Sequence, residues 1–135
     1  MNLRFTLDGS RPVSTEVGTM VCALATCAGL DGKAAYRLRL ATDEIVTNIV
    51  VHGYHSGGGP ISLSYGFDAT RAWVEIEDEA PLFDPRQHDP LPRLAAGTAT
   101  GRVGGFGLFL AMRSLDDFRY RYTGRRNHCV LTVLR

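Results

Sequence analysis

A chain of 135 residues with 44% hydrophobic and 21% charged side chains is long enough for one ordinary core and has a globular composition. Fifteen basic against fourteen acidic residues leave a formal charge of +1, which offers no electrostatic footprint for nucleic acid or an anionic membrane. The first ten residues lack the apolar centre of a signal peptide, no apolar run is long enough to span a bilayer, and Cys22, Cys27 and Cys129 show no metal-ligand spacing, so the reading is a cytoplasmic protein with free thiols.

Residues 3–7, LRFTL, alternate as a short strand. Pro12 and Ser14 open an apolar-rich helix through about Leu30, where Gly29 and Asp31-Gly32 supply the stop. A second helix runs from about Lys33 to His52 and ends at Gly53. Beyond a turn at residues 56–60, ISLSYGF places Ile61, Leu63, Tyr65 and Phe67 on one face, and RAWVEIED turns Ala72, Val74 and Ile76 inward, so the two predict a hairpin.

From Ala80 to Val103 the pattern dissolves under Pro81, Pro85, Pro90 and Pro92, and a structureless stretch this long predicts a lid, at about residues 84–103. A Gly-rich turn, a short helix (about 106–115) and a hairpin pairing Phe118, Tyr120 and Tyr122 with CVLTVLR across Gly124 close the chain. Its arginines (Arg119, Arg121, Arg125, Arg126) read as a solvated face. The order β-α-α-β-β-lid-α-β-β predicts one domain over residues 1–135. Its fold class is an α/β (α+β) two-layer sandwich, a mixed, mainly antiparallel sheet with helices on one face.

Three segments carry candidate chemistry. On the second helix Glu44, Asn48 and His52 fall at i, i+4 and i+8 amid apolar neighbours. Glu44 suits a general base, and the Asn48 amide oxygen suits a hard cation such as Mg²⁺, which completes its shell with phosphates and water. Asp78 ends a strand and can accept a hydrogen bond from an exocyclic amine, the group that tells adenine from guanine. GRVGGFGLFLAMR (101–113) runs glycines into a helix, an arrangement of free N–H groups that cradles anions. It has no Gly-Lys-Ser/Thr of a Walker loop and no preceding strand of a dinucleotide fingerprint. Alone, the stripe could be a solvated face, Asp78 a turn residue and the glycines a hinge. Together they predict a nucleotide pocket roofed by the lid.

The Glu-x-x-x-Asn of EIVTN, the Asp78 box and GGFGLFL resemble the GHKL (Bergerat-fold) ATPases in order and spacing. More closely, VTNIVVHGY and GGFGLFLAMRSLDDFRYRY with NHCVLTV resemble the RsbW-type anti-sigma factor serine/threonine kinases over essentially the whole chain. The resemblance implies a histidine-kinase-like ATPase fold and an ATP- and Mg²⁺-dependent protein kinase. Its implied partners are a sigma factor, which it sequesters, and a STAS-type anti-sigma factor antagonist, which it phosphorylates, and it implies a homodimer. It assigns Glu44 as base, Asn48 as Mg²⁺ ligand, Asp78 and Ala80 to the adenine, and Arg102, Gly104, Gly105, Phe106, Gly107 and Leu108 to the nucleotide. The family's Asp box reads Asp-x-Gly; here Ala80 fills the glycine position, and its methyl is expected to crowd the purine or restrict the backbone. The lid also lacks an obvious lysine for the phosphates.

Two rival functions share these residues. One is a binding module of the same fold that captures a sigma factor or another regulator with little or no ATP, the reading Ala80 favours. The other is a detached histidine-kinase ATPase domain, which the absence of a phospho-accepting His on a dimerising helix pair disfavours. A hydrolase in which Glu44 activates water ranks below both.

Overall fold

The computed structural model describes residues 13–55, 57–87 and 107–135 in full, and residues 2–7 and 106 as backbone. In chain order the elements are β1 (Asn2–Leu7), α1 (Ser14–Ala28), α2 (Gly32–Asn48), a π turn (Ile49–Gly53), β2 (Gly59–Phe67), β3 (Arg71–Asp78), a 3₁₀ turn (Pro85–Gln87), α3 (Phe106–Arg113), β4 (Asp117–Thr123) and β5 (Arg126–Leu134). Among the described residues the strands and helices come in the predicted order.

Five strands form one sheet in the order β1-β2-β3-β5-β4, and all four pairings are antiparallel. Chain direction explains this. Two helices separate β1 from β2, so the chain returns reversed. β3 and β4 run the same way, joined through α3, but β5 inserts between them and removes the parallel contact a mixed sheet would have contained.

Period-two alternation sorts the strands into two faces. Ala72, Val74 and Ile76 of β3 and Cys129, Leu131 and Val133 of β5 are buried, and they form one core with Leu24 of α1, Leu38, Ile45 and Val46 of α2, and Leu108 of α3. Each fully buried leucine or isoleucine contributes roughly 1.5–3 kcal/mol. In register, the opposite face carries Ser62, Ser64, Glu75, Glu77, His128, Arg119 and Arg121. On that face the Trp73 indole covers Gly66, where a Cβ would stand 2.8 Å from the ring. A sheet with one polar face needs helices only on the other, and the helices pack there.

The helix ends follow local rules. Gly29 takes the left-handed conformation (φ 66°) at the end of α1. Asp31 caps α2 by accepting from the Ala34 N–H at 2.7 Å. The last hairpin turns on Gly124 and Arg125, whose φ values of 59° and 61° are those of a two-residue type I′ turn.

Candidate nucleotide site

The end of α2 differs from the simple helix predicted through His52. After Asn48 the ladder widens into a π turn, and the Tyr54 N–H donates to the Ile49 carbonyl at 2.8 Å. Tyr54 clasps both neighbouring strands. Its hydroxyl donates to the Pro60 carbonyl and accepts from the Glu79 N–H, each at 2.8 Å. Burial raises its pKa, against the opposing bond from Glu79.

Beside this turn lies a cavity of about 150 Å³. Asn48 and His52 line it from the helix side, Asp78 and Asn127 from the strands, and Ala80 from the chain leaving β3. Ile45, Ile49, Leu82 and Phe83 supply apolar walls, giving the mostly greasy lining with a few converging polar groups that suits a flat aromatic ligand. Of the polar stripe on α2 and the π turn, Asn48 and His52 face this space, half-buried and exposed respectively.

Asp78 is 3% exposed, and its charge has specific partners. Its Oδ1 accepts from the Ala80 N–H at 2.9 Å and from Asn127 Nδ2 at 3.0 Å; Oδ2 takes neither bond. Burial pushes the carboxyl pKa up, and the bonds from Asn127 and Ala80 pull partly against it. Asn127 Nδ2 also donates to the carbonyls of Ala80 and Pro81, while its Oδ1 accepts from the Phe83 N–H and the Tyr120 hydroxyl. One amide thus ties β3, β4, β5 and the chain leaving β3. Neighbouring Cys129 is buried, which pushes its thiol up to about 12 and leaves it un-ionised and unreactive at neutral pH.

The chain then reaches Asp84, which Arg86 grips through its backbone N–H to Oδ1 at 2.9 Å and its guanidinium, Nη2 to Oδ2 at 2.7 Å and Nε to Oδ1 at 3.0 Å. Burial opposes ionisation of Asp84, but the bonds and charge of Arg86 outweigh it and the pKa falls. The Arg86 guanidinium also sits 6.0 Å from the centre of the Tyr120 ring.

Glu44 stands one turn before Asn48, about 6 Å along the axis. Its carboxylate lies against the first turn of α3: a Cβ at Gly107 would stand 2.8 Å from Oε1. The glycine admits the carboxylate to the positive end of that helix.

Of the predicted site residues, Asn48, Asp78 and Ala80 meet at the cavity, and Glu44 meets Gly107 beside it. Leu108 is buried in the core at 2% exposure and does not line the cavity. Arg102, Gly104, Gly105, the Phe106 side chain and the lid beyond Gln87 lie outside the described residues. The Ala80 methyl turns toward Gly53, where a Cβ would approach it to 2.8 Å, so glycine makes room for it at the π turn. His52, on the predicted stripe, lines the cavity, whereas Asn127 joins the site and Tyr54 braces its edge without having been predicted into it. For Asn127 a signal existed: it shares strand parity with Cys129, Leu131 and Val133.

Residues 12–133 match the model of the histidine kinase-like ATPase domain. The chain belongs to that family. It is 27% identical over 118 residues to the serine-protein kinase RsbW of Listeria innocua, covering 84% of this chain and 75% of that protein, and equally so to RsbW of Listeria monocytogenes. A chain in the crystal structure of the SiaB-SiaC complex from Pseudomonas aeruginosa shares the fold, with a TM-score of 0.56 at 17% identity over 98% of this chain and 88% of that one.

A purine nucleotide fits the donors this histidine kinase-like domain presents: an apolar slot, a carboxylate with one uncommitted oxygen, and an amide beside it. A magnesium ion would have Asn48 from the chain. Among the described residues no group of three or more His, Cys, Asp or Glu side chains is arranged to hold a metal; a magnesium ion commonly takes one or two protein oxygens and fills its shell with phosphate and water. No helix among the described residues is long and apolar enough to cross a membrane.

Proposed function

We propose that this protein is an ATP-dependent serine/threonine kinase and anti-sigma factor, acting in the cytoplasm as a homodimer. In this reading it phosphorylates a STAS-type antagonist and sequesters a sigma factor by partner switching. The observation that carries the nucleotide reading is the convergence of Asn48 and Asp78 on one apolar cavity while Glu44 stands beside it at the α3 glycine. The names of the sequence relatives support the kinase and its regulatory role.

Phosphoryl transfer asks mainly for positioning and charge neutralisation, and bound Mg-ATP brings the phosphoryl group and the divalent charge. The chain supplies the rest. Asp78 receives the adenine amine, the Ile45 and Ile49 side chains enclose the ring, and Asn48 offers its amide oxygen to the ion. Glu44 would accept the proton of the attacking serine hydroxyl, and the Phe106 and Gly107 amides at the start of α3 would be available to the phosphates.

Incubation with γ-labelled ATP and STAS-domain proteins of the source organism tests this. Acid-stable label on the antagonist, absent with Asn48→Ala, is the expected result. Acid-labile label would indicate phosphohistidine instead. Millimolar Mg-ATP that leaves the melting temperature unchanged would favour a binding module without nucleotide chemistry.

A further inference from the structure

We propose that Asn127 sets the base specificity of the cavity by holding the Asp78 carboxylate in place with a bare acceptor oxygen toward it, and so selects an amino purine over an oxo purine. The proposal rests on the nucleotide reading above and deepens it. Either oxygen of a carboxylate accepts, so what discriminates between bases is a bare acceptor held at one place in the slot. Here Oδ1 is occupied by two donors, the Ala80 N–H and Asn127 Nδ2. Rotation would break both bonds in a buried setting, where an unmade bond is costly. Oδ2 is left as an acceptor. An exocyclic amine completes it, whereas the carbonyl of an oxo purine would set oxygen against oxygen.

Asn127 can do this because its own amide is oriented. Two donors, the Phe83 N–H and the Tyr120 hydroxyl, converge on its Oδ1, so Nδ2 must point toward Asp78 and the Ala80 and Pro81 carbonyls. The side chain is 3% exposed and therefore acts on the base through Asp78: it is a positioning residue. Its donated bond also favours the ionised carboxylate against the burial that opposes it. A protonated Asp78 would carry its proton on Oδ2 and present a donor, the preference of an oxo purine.

The test is equilibrium binding of Mg-ATP and Mg-GTP to wild type, Asn127→Thr and Asn127→Val. Threonine and valine have the same shape, suit a strand, and differ in one hydroxyl donor able to reach Asp78 directly or through a water. The wild type is expected to prefer ATP. The threonine variant should keep most of that preference, and the valine variant should lose it by roughly tenfold, as removal of one bond to a charged group predicts. General loosening of the site would weaken both nucleotides alike and leave the ratio unchanged. A valine variant with the wild-type ratio overturns the role of Asn127. Wild type that binds both nucleotides equally overturns it too, while leaving the nucleotide reading intact. Wild type that binds neither removes both. Should the valine variant not fold, Asn127→Ser against Asn127→Ala supplies the same comparison.

Discussion

Gly53 and Ala80 are complementary: a Cβ on Gly53 would stand 2.8 Å from the Ala80 methyl, across the junction of the π turn and the chain leaving β3. The alanine that replaces glycine in the Asp box is thus matched by a glycine on the facing turn. Gly53→Ala is expected to destabilise by about 1–3 kcal/mol through overpacking, although alanine is usually the better residue in a helical turn. Ala80→Gly in the same chain should restore most of the loss. Melting temperatures of the four proteins give the coupling energy, and additive effects would disprove the contact.

Tyr54 is the second element of that junction. Tyr54→Phe keeps the ring over Gly59 but removes the donor to Pro60 and the acceptor of the Glu79 N–H. The expected cost is about 1–2 kcal/mol, with weaker Mg-ATP binding because the segment bearing Ala80 loses its tether. Denaturant unfolding and nucleotide titration measure the two effects separately.

Gly107→Ala separates chemistry from stability. The new methyl would displace the Glu44 carboxylate, the flexible end of a side chain, so the fold is expected to hold and α3 to gain up to about 1 kcal/mol in helix propensity. Phosphoryl transfer should fall by roughly tenfold or more if Glu44 is the base. Full activity in a stable Gly107→Ala protein would remove Glu44 from that role.

Asp78 predicts a trade between stability and binding. Its pKa is higher in the folded chain than the ordinary 3.8 of an unfolded aspartate. The folded state therefore binds this proton more tightly. The stabilisation is complete below the unfolded value and is lost as pH rises through the folded one. Asp78→Asn is neutral, keeps an oxygen for the Ala80 and Asn127 donors, and should raise the melting temperature at pH 7 relative to wild type but not below pH 3.8. It also replaces Oδ2 with a donor, so Mg-ATP binding should be lost. Thermal melts at the two pH values, with a titration at neutral pH, check both halves.

The turn Gly124-Arg125 holds an arginine at φ 61°. Arg125→Gly should stabilise by about 0.5–1 kcal/mol, since the left-handed conformation costs an L side chain roughly 1–2 kcal/mol and glycine returns part of the gain as entropy. Urea midpoints of the two proteins measure it.

Much of this architecture was legible because it depends on local periodicity. The inward set Ala72, Val74 and Ile76 and the helical spacing of Glu44 and Asn48 are properties of two and 3.6 residues per repeat, and both appear in the fold. Properties that depend on distant partners were not legible. The π turn follows no composition rule, and its fit relies on Ala80, Pro60 and Glu79 approaching from two strands. Asn127 stands beside the hairpin turn between Arg126 and His128, and its parity with Cys129, Leu131 and Val133 says that it faces inward but not what it meets there. Only knowledge that β5 is an interior strand makes a buried amide there informative.

The π turn also restricts how this stretch can change length. From Asn48 to Tyr54 the chain spends one residue more per turn than an α-helix, and that residue carries the Tyr54 ring round to its two strands. Deleting one residue there would restore ordinary helical spacing and swing Tyr54 by about 100° about the axis, away from Pro60 and Glu79. Substitutions on the outer side, at Val51, would leave that geometry alone. The segment works as a ruler: side chains may be exchanged along it, but its number of divisions must stay constant.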